Sequence, residues 1–381
     1  MRVLIAHSFY RTSGGEDACV RQQLDLLRRR HDVFLLEKHN SQLRGGVSIG
    51  IRMAYSPRIR ADVESAIRTF RPDVIHIHNS YPAFGPAVFL GARNFGIPLV
   101  MTVHNYRLRC PNGYMFTEGA ICTRCTDGAY HNAVLHPCFS TKEQSIAYAS
   151  SLWLHRFVLK LESNISMLIS PSEFMHASLL RWGIDAARLT TIRNFTRIHA
   201  DADVSSGRYG AYVGRLSREK GVHVLLKALS AAGDPPFKIV GDGPEAASLR
   251  RAASELGLRQ TQFVGRSSPI QVDLVLRGAK FVVVPSVWNE NAPLAALEAM
   301  ARGRPLIVSS VGGLRELADG GRGWLARPGD AHDLSDKMRS LMENDEMCLR
   351  AGGAALAFAR EELAPERHLN RLEQTYEGVV A

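Results

Sequence analysis

Short apolar runs that stop at a glycine or polar turn and pass into a helical pattern constrain this chain most. Arg2–Ala6 is such a run; Thr12-Ser13-Gly14-Gly15 follows, then a helical pattern from Glu16 to Arg30. Asp32–Leu36, Pro72–His78 and Pro98–His104 read as further strands. Leu168-Ile169-Ser170-Pro171-Ser172 repeats the pattern, with Ser172 placed as N-cap of a helix from Glu173. Apolar strands separated by helices predict a parallel sheet covered on both faces.

The series breaks at residues 196–208, which are small and polar and read as a linker. It then restarts. Tyr209–Val213, Phe237–Val240, Gln262–Val264, Phe281–Val284 and Pro305–Ser309 read as strands, with helices at Val222–Leu229, up to Leu256, and at Pro293–Ala301. The chain of 381 residues is therefore expected to be α/β, with two Rossmann-like doubly wound domains, 1–197 and 207–365, facing a cleft. Ligands in such sheets bind outside the carboxyl ends of the strands.

Composition narrows the partners. No run of 18 apolar residues appears, and the N-terminus enters a strand with no signal-peptide cleavage region, so a cytoplasmic protein is expected. Residues 1–200 carry 24 Lys and Arg against 14 Asp and Glu, so the whole net charge of +10 lies there, nearly all as arginine. Such a half favours an anionic partner, whether phosphate, acidic glycan, anionic lipid or nucleic acid; the alternative is a basic surface that serves solubility. Basic motifs interleaved with aromatics and zinc-finger histidine spacing are missing, which speaks against nucleic acid.

The residues that carry chemistry cluster at predicted strand ends. In Pro285-Ser286-Val287-Trp288-Asn289-Glu290-Asn291-Ala292-Pro293-Leu294, Glu290 sits in the loop after a buried strand, and Pro293 suits the first turn of the next helix. The amides of Asn291, Ala292 and Leu294 then lie at a helix N-terminus, which favours phosphate. Glu298, further along that helix, can accept hydrogen bonds from a diol such as ribose. The alternative is an ordinary helix flanked by two solvated glutamates. Arg215, after Gly214, and Lys220 form a cation pair suited to a diphosphate, a fork and a point charge. Gly241 and Gly243 let backbone approach a ligand, or simply make a turn.

Taken together, Gly214-Arg215…Lys220-Gly221, Gly241-x-Gly243-Pro244, Pro285-Ser286…Glu290-x7-Glu298-Ala299 and Gly312-Gly313 resemble the retaining GT-B glycosyltransferases of family 4 over nearly the whole chain. The resemblance implies that Arg215 and Lys220 hold the diphosphate of a nucleotide-sugar donor. It places Glu298 on the ribose and Glu290 against the donor sugar. Many members carry Phe-Gly where this chain has Asn291-Ala292-Pro293, so UDP-sugar and GDP-sugar donors both stay open. In the first half, Gly14-Gly15 resembles the family's glycine loop, and His104 the histidine near the reacting face of the sugar. His78 and His7 also lie at strand ends, as structural or acceptor-lining residues. The resemblance also implies that the terminal stretch Glu366–Val379 packs back on the first domain.

No Asp-x-Asp pair stands beside a strand to bind Mg²⁺, since Asp201-Ala202-Asp203 falls in the linker. No catalytic cofactor is expected; charge on the leaving diphosphate is to be met by Arg215, Lys220 and helix amides. A front-face substitution follows, with Glu290 orienting the sugar rather than attacking it.

Two segments lie outside that scheme. Cys110, Cys122, Cys125 and Cys138 crowd into 29 residues, one pair as Cys-x-x-Cys, and read as a structural Zn²⁺ site or as four unligated thiols. Cys19 and Cys348 read as isolated buried thiols. Ser145–Leu161 has apolar residues at helical spacing, with His155, Arg156 and Lys160 among them. Its first reading is a core-facing helix; its second is contact with an anionic membrane surface that brings a lipid-linked acceptor. The expected function is transfer of a sugar to a glycan or lipid-linked acceptor in polysaccharide or glycolipid synthesis. The alternatives are a nucleotide-sugar epimerase of the same fold, or a non-catalytic protein that binds sugar or nucleic acid. Oligomeric state is not legible.

Overall fold

The apolar runs form strands, and the central ones are buried along their whole length, as in Val74–Asn79 and Ala279–Val284. The computed structural model describes residues 1–12, 14–42, 50, 52–202, 204–205 and 207–381. Ser13 of the glycine turn, Asp203 and Ser206 lie outside the described residues. The chain divides into two compact units: Met1–Glu118 with Cys122–Ile192 and His368–Ala381, and Arg193–Arg367 with Gly119–Ile121.

The first unit is built on six strands: β1 (Arg2–Phe9), β2 (Asp32–His39), β3 (Val74–Asn79), β4 (Leu99–Thr102), β5 (Met167–Ser170) and β6 (Leu189–Thr191). They lie in the order β2-β1-β3-β4-β5-β6, with every pairing parallel. Strand β1 runs three residues past Ala6, because His7 and Ser8 stay in register with Glu37 and Lys38 of β2. Polar side chains hid that extension in the sequence. Ser172 caps the helix Glu173–Arg181, its Oγ accepting from the Met175 N–H at 3.2 Å.

The second unit repeats the plan with β7 (Tyr209–Val213), β8 (Phe237–Val240), β9 (Thr261–Gly265), β10 (Ala279–Val284), β11 (Leu306–Ser309) and β12 (Gly323–Ala326). Their order is β9-β8-β7-β10-β11-β12, again all parallel. One core, with Ala211, Val282, Leu297 and Met300, lies on one sheet face; another, with Leu225, Ile239, Phe281 and Met338, lies on the other. Two edge strands were not read from the sequence: β6, three residues with Leu189 its one apolar side chain, and β12, only four residues long. In both units the strand order reverses between the first strand and its central neighbour, β1 beside β3 and β7 beside β10. That reversal opens a crevice beyond the strand ends.

The last helix, Pro365–Val380, closes the first unit. His368, Leu369, Leu372 and Tyr376 are its buried face, and Glu373 accepts from Arg30 Nη1 at 2.9 Å and His31 Nε2 at 2.8 Å. No described helix is long and apolar enough to cross a membrane.

Candidate functional site

The switch between β7 and β10 gathers the charged residues of the second unit. Lys220 Nζ donates to Glu290 Oε1 at 2.7 Å, and Ser286 Oγ donates to the same oxygen at 2.6 Å. Glu290 is only 4% exposed. Lys220 also stands 5.3 Å from the centre of the Trp288 ring. The backbone of Glu290 is fixed from behind, its carbonyl accepting from the Gly313 N–H at 2.7 Å. A Cβ on Gly312, at φ +52°, would lie 2.1 Å from that carbonyl, so a glycine is a packing requirement at that position. Gly241, at φ +132°, presses the β8 turn against β7; a Cβ there would meet the Gly214 carbonyl at 1.9 Å. Gly243 follows, its N–H bonded to Asp242 Oδ1 at 2.8 Å.

Arg215 is engaged differently from Lys220. Its Nη2 donates to Glu219 Oε1 at 2.7 Å and its Nε to Ser217 Oγ at 3.3 Å, with the side chain half exposed. Burial pushes the Glu219 carboxyl up, but hydrogen bonds from Ser217 and Arg215 outweigh it and hold the group below its usual range. Pro293 occupies the N-cap of the helix Leu294–Ala301 rather than its first turn, one residue before the place predicted. Asn291 is buried, and Ala292 and Leu294 are partly buried at that helix start, where backbone amides lack intrahelical acceptors.

Glu298 is the exception in this ring of satisfied charges. It is partly buried, and it makes no hydrogen bond or ion pair with any described residue. Burial, then the charge of Asp273, pushes its carboxyl up to about 7. Asp201, the described member of the linker acidic run, is paired with Arg277 and Arg302.

In the first unit the strand ends carry histidines. His104 lies two residues beyond β4, and its Nε2 is 2.8 Å from His78 Nδ1. Gln23, on the helix Gly15–Leu27, places its amide nitrogen 3.1 Å from His78 Nε2 and 3.3 Å from His76 Nδ1. Its amide oxygen accepts from His368 Nε2 at 3.1 Å. The Tyr376 hydroxyl reaches His76 Nδ1 at 2.6 Å, and His76 Nε2 faces Thr102 Oγ1 at 2.8 Å. One proton assignment fits these contacts, with the Tyr376 hydroxyl at 2.6 Å and the Gln23 amide at 3.3 Å sharing the single lone pair of His76 Nδ1. Gln23 donates to His76 and His78, so His78 carries its proton on Nδ1 and donates to His104 Nε2. The His104 proton is then on Nδ1. Burial first, then His7 and His368, pulls His104 down to about 3; burial and its neighbours pull His76 to about 3 as well. His78 falls well below its usual range for the same reason. All three rings are neutral. His7 Nε2 donates to Asp17 Oδ1 at 2.9 Å, while its buried Nδ1 has no partner. Gly14 is the N-cap of the Gly15–Leu27 helix and Gly15 its first residue, both exposed.

Beyond β3 and β4 these residues line a cavity in which His78, Tyr81, His104, Asn105 and Arg107 meet Leu152, His155 and Arg156. Its empty space, open to solvent at the mouth, is about 610 Å³.

The four clustered cysteines line one smaller cavity and carry no disulfide. Cys110 Sγ donates to Asn112 Oδ1 at 3.0 Å. No described group of three or more His, Cys, Asp or Glu residues is placed to hold a metal ion, so the spacing brought the thiols near one another without building a ligand set. Cys19 and Cys348 are buried, as expected. The segment read first as a core-facing helix departs from that reading. Lys142–Trp153 is helical and Leu154–Val158 forms a wider turn, yet Ile146, Trp153, Phe157 and Val158 are exposed. Helical spacing fixes a common face but not what covers it.

Sequence reasoning passed over Gln23, Asp17, Tyr81, Arg107 and Tyr376. For Gln23 a signal existed. Cys19, Val20, Leu24 and Leu27 form the inward stripe of its helix, and an amide within such a stripe must find partners.

Comparison with known proteins bears on the family and the fold. Residues 200–357 match the family model for glycosyl transferases group 1, and residues 14–194 that for the glycosyl transferase 4-like domain. The chain is 30% identical to a glycogen synthase of Mycobacterium tuberculosis over 294 residues, 76% of this chain. It spans 64% of that relative's length. A D-inositol 3-phosphate glycosyltransferase of Corynebacterium glutamicum is 36% identical over 162 residues, 39% of this chain and 38% of the relative. Among solved structures, Anabaena HepE in complex with UDP and glucose superposes with a TM-score of 0.72 at 19% identity, over 99% of this chain and 100% of HepE. Sucrose-phosphate synthase from Thermosynechococcus elongatus gives 0.74 at 18%, over 99% and 98%. At these identities the two structures speak to the fold, and the fold is GT-B.

Proposed function

The chain belongs to the glycosyl transferases group 1 family, and from that premise we propose that it moves a hexose from a nucleoside diphosphate donor to an acceptor hydroxyl, with retention of configuration. The observation that carries the reading is the buried Glu290, paired with Lys220, in the loop that leads into the helix of Glu298, a partly buried carboxylate with no partner among the described residues. A carboxylate held up to about 7 by burial gains most from a ligand that offers two hydroxyl donors, as a ribose does.

The donor belongs to the domain at 207–365 and the acceptor to the domain at 1–197. Lys220 and Arg215 neutralise the diphosphate, helped by the amides of Asn291, Ala292 and Leu294. Gly241 and Gly243 let backbone come close to it. Glu290 orients the sugar, and its bond to Lys220 exchanges in part for the phosphate as the donor arrives. In the acceptor domain, Gly14 and Gly15 open the helix Gly15–Leu27 at a strand end, and His104, with its proton on Nδ1, is a neutral donor facing the acceptor. No catalytic metal is needed where fixed cations already meet the leaving charge. HepE was crystallised with UDP and with UDP-glucose, which makes UDP-sugars the first donors to try and GDP-sugars the second.

The acceptor is a glycan or a lipid-linked saccharide of polysaccharide or glycolipid synthesis. Exposed Trp153, Phe157 and Val158 near the exposed Lys160 support peripheral docking on an anionic membrane at the cytoplasmic face. The transfer itself is tested by titrating UDP and GDP, then following the anomeric proton of the product by NMR. No nucleoside diphosphate binding, or an inverted product, overturns the proposal.

A further inference from the structure

The cavity beyond β3 and β4 is lined by two arginines, Arg107 and Arg156, that no described carboxylate neutralises. Arg107 lies between the rings of Tyr81 and Tyr148, 5.5 and 5.6 Å from their centres. Its Nη1 donates to the Pro111 carbonyl at 3.1 Å, while its Nε is buried without a partner. Arg156 donates through Nη1 to the Thr126 carbonyl at 3.2 Å and to the Tyr130 hydroxyl at 3.1 Å. Among the described residues neither has a carboxylate partner.

The cavity does contain one acidic side chain, Glu162, but Arg109 takes both of its oxygens. The histidines that line it add no charge, since burial holds His104 and His155 neutral at ordinary pH. The rest of the wall is largely apolar, with Phe89, Leu108 and Leu161. Two permanent cations in such surroundings are costly unless an anion completes them. A guanidinium with an open Nε edge is shaped for the paired oxygens of a phosphate or carboxylate.

We infer that this cavity is an acceptor subsite for an oxyanion, in which Arg107 and Arg156 hold a phosphate or carboxylate while the apolar wall and Tyr81 cover the adjoining part of the acceptor. It rests on the transferase reading only for the word acceptor. Because His104 lines the same space, an acceptor anchored by its anion presents a neighbouring hydroxyl to that ring. Arg107 and Arg156 are thus specificity-determining residues: they select charged acceptors over neutral ones of the same shape.

Three small probes test this by calorimetry: phenyl phosphate, phenyl β-D-glucuronide and phenyl β-D-glucoside. The last two differ in a carboxylate against a hydroxymethyl group. The wild-type protein is expected to bind at least one anionic probe about tenfold or more tighter than the glucoside. Which anion wins distinguishes phosphate from carboxylate. In Arg107→Met the preference shrinks to about twofold, and Arg107→Lys, which keeps the charge and loses the fork, falls between. Arg156→Met acts in the same direction, so the result does not hang on one variant's folding. UDP affinity, read on the same samples, stays at the wild-type value. Equal binding of all three probes, no binding of any, or a preference that survives loss of both arginines overturns the inference. Failure of UDP to bind the wild type would instead remove the transferase reading and leave the anion subsite standing.

Discussion

Beside His104, in the first unit, polar groups are neutral and satisfy one another: Gln23 donates to two rings and accepts from a third, and His78 passes the polarity on to His104. Beside Glu290, in the second, acid meets base, with Lys220 paired to Glu290, and Glu298 has no partner among the described residues. Burial drives both arrangements, but in opposite directions. It strips protons from imidazoles, and it returns one toward a carboxylate. The first unit therefore fixes directions of hydrogen bonds, and the second stores charge that a ligand can rearrange.

The sharpest way to break that contrast is Lys220→Met. It leaves Glu290 buried and unpaired, so transfer should fall about a thousandfold and stability by about 3 kcal/mol. Adding Glu290→Gln should restore most of the stability and none of the transfer. Urea titrations that show no loss in the single variant would mean that the pair is not a buried charge pair at all.

Next comes Glu298→Gln, expected to weaken nucleoside diphosphate binding by about tenfold or more. Its effect on stability has a defined sign. The folded carboxyl titrates near 7 and the unfolded one near 4.5, so the folded state keeps a proton that the unfolded state has lost between those values. Stability falls as pH rises from 4.5 to 7, by on the order of 1 kcal/mol given the partial exposure of the group, and the Gln variant lacks that decline. Parallel pH profiles for the two proteins would contradict the burial argument.

Gln23→Leu probes the other unit. It should cost about 2 kcal/mol, because it removes the donor to the buried His78 Nε2 and the acceptor of His368, and it should leave UDP affinity unchanged. Imidazole ¹⁵N shifts are the discriminating measurement: His78 and His104 should lose their single tautomers. An unaltered spectrum would show that Gln23 only fills space. Acid acts on the same network. His76 and His104 are pulled to about 3 when folded, so the unfolded chain binds their protons first, and stability is lost as pH falls from 6.5 toward 3. The smallest stability effect belongs to Arg215→Ala, whose half-exposed pair with Glu219 should be worth less than about 0.5 kcal/mol. A loss of several kcal/mol would mean that the second unit's surface charges are as coupled as its buried ones.

The sheets were legible because each strand is a short apolar run ended by a turn. Tyr209–Val213 and Phe237–Val240 begin and end where their sequences predict, and Ser172 caps as predicted. Glu290 and Lys220 were legible as types at strand ends, but their mutual bond was not, since 70 residues separate them. Tyr376 meets His76 across 300 residues, a contact that no local pattern encodes. The exposed side of Lys142–Trp153 was misjudged because amphipathic spacing is the same over a core and over solvent. Cysteine spacing gave nearness and a shared cavity, not the geometry of ligands.

The helix that supplies His368 and Tyr376 has a bearing on how the protein is made. His76 is made 300 residues before Tyr376, and Gln23 345 residues before His368. Until that helix arrives, the Gln23 amide oxygen lacks its imidazole donor and His76 lacks its phenol in a half-covered interior. The first unit therefore cannot be finished strand by strand as it is made; it waits for a helix from far along the chain.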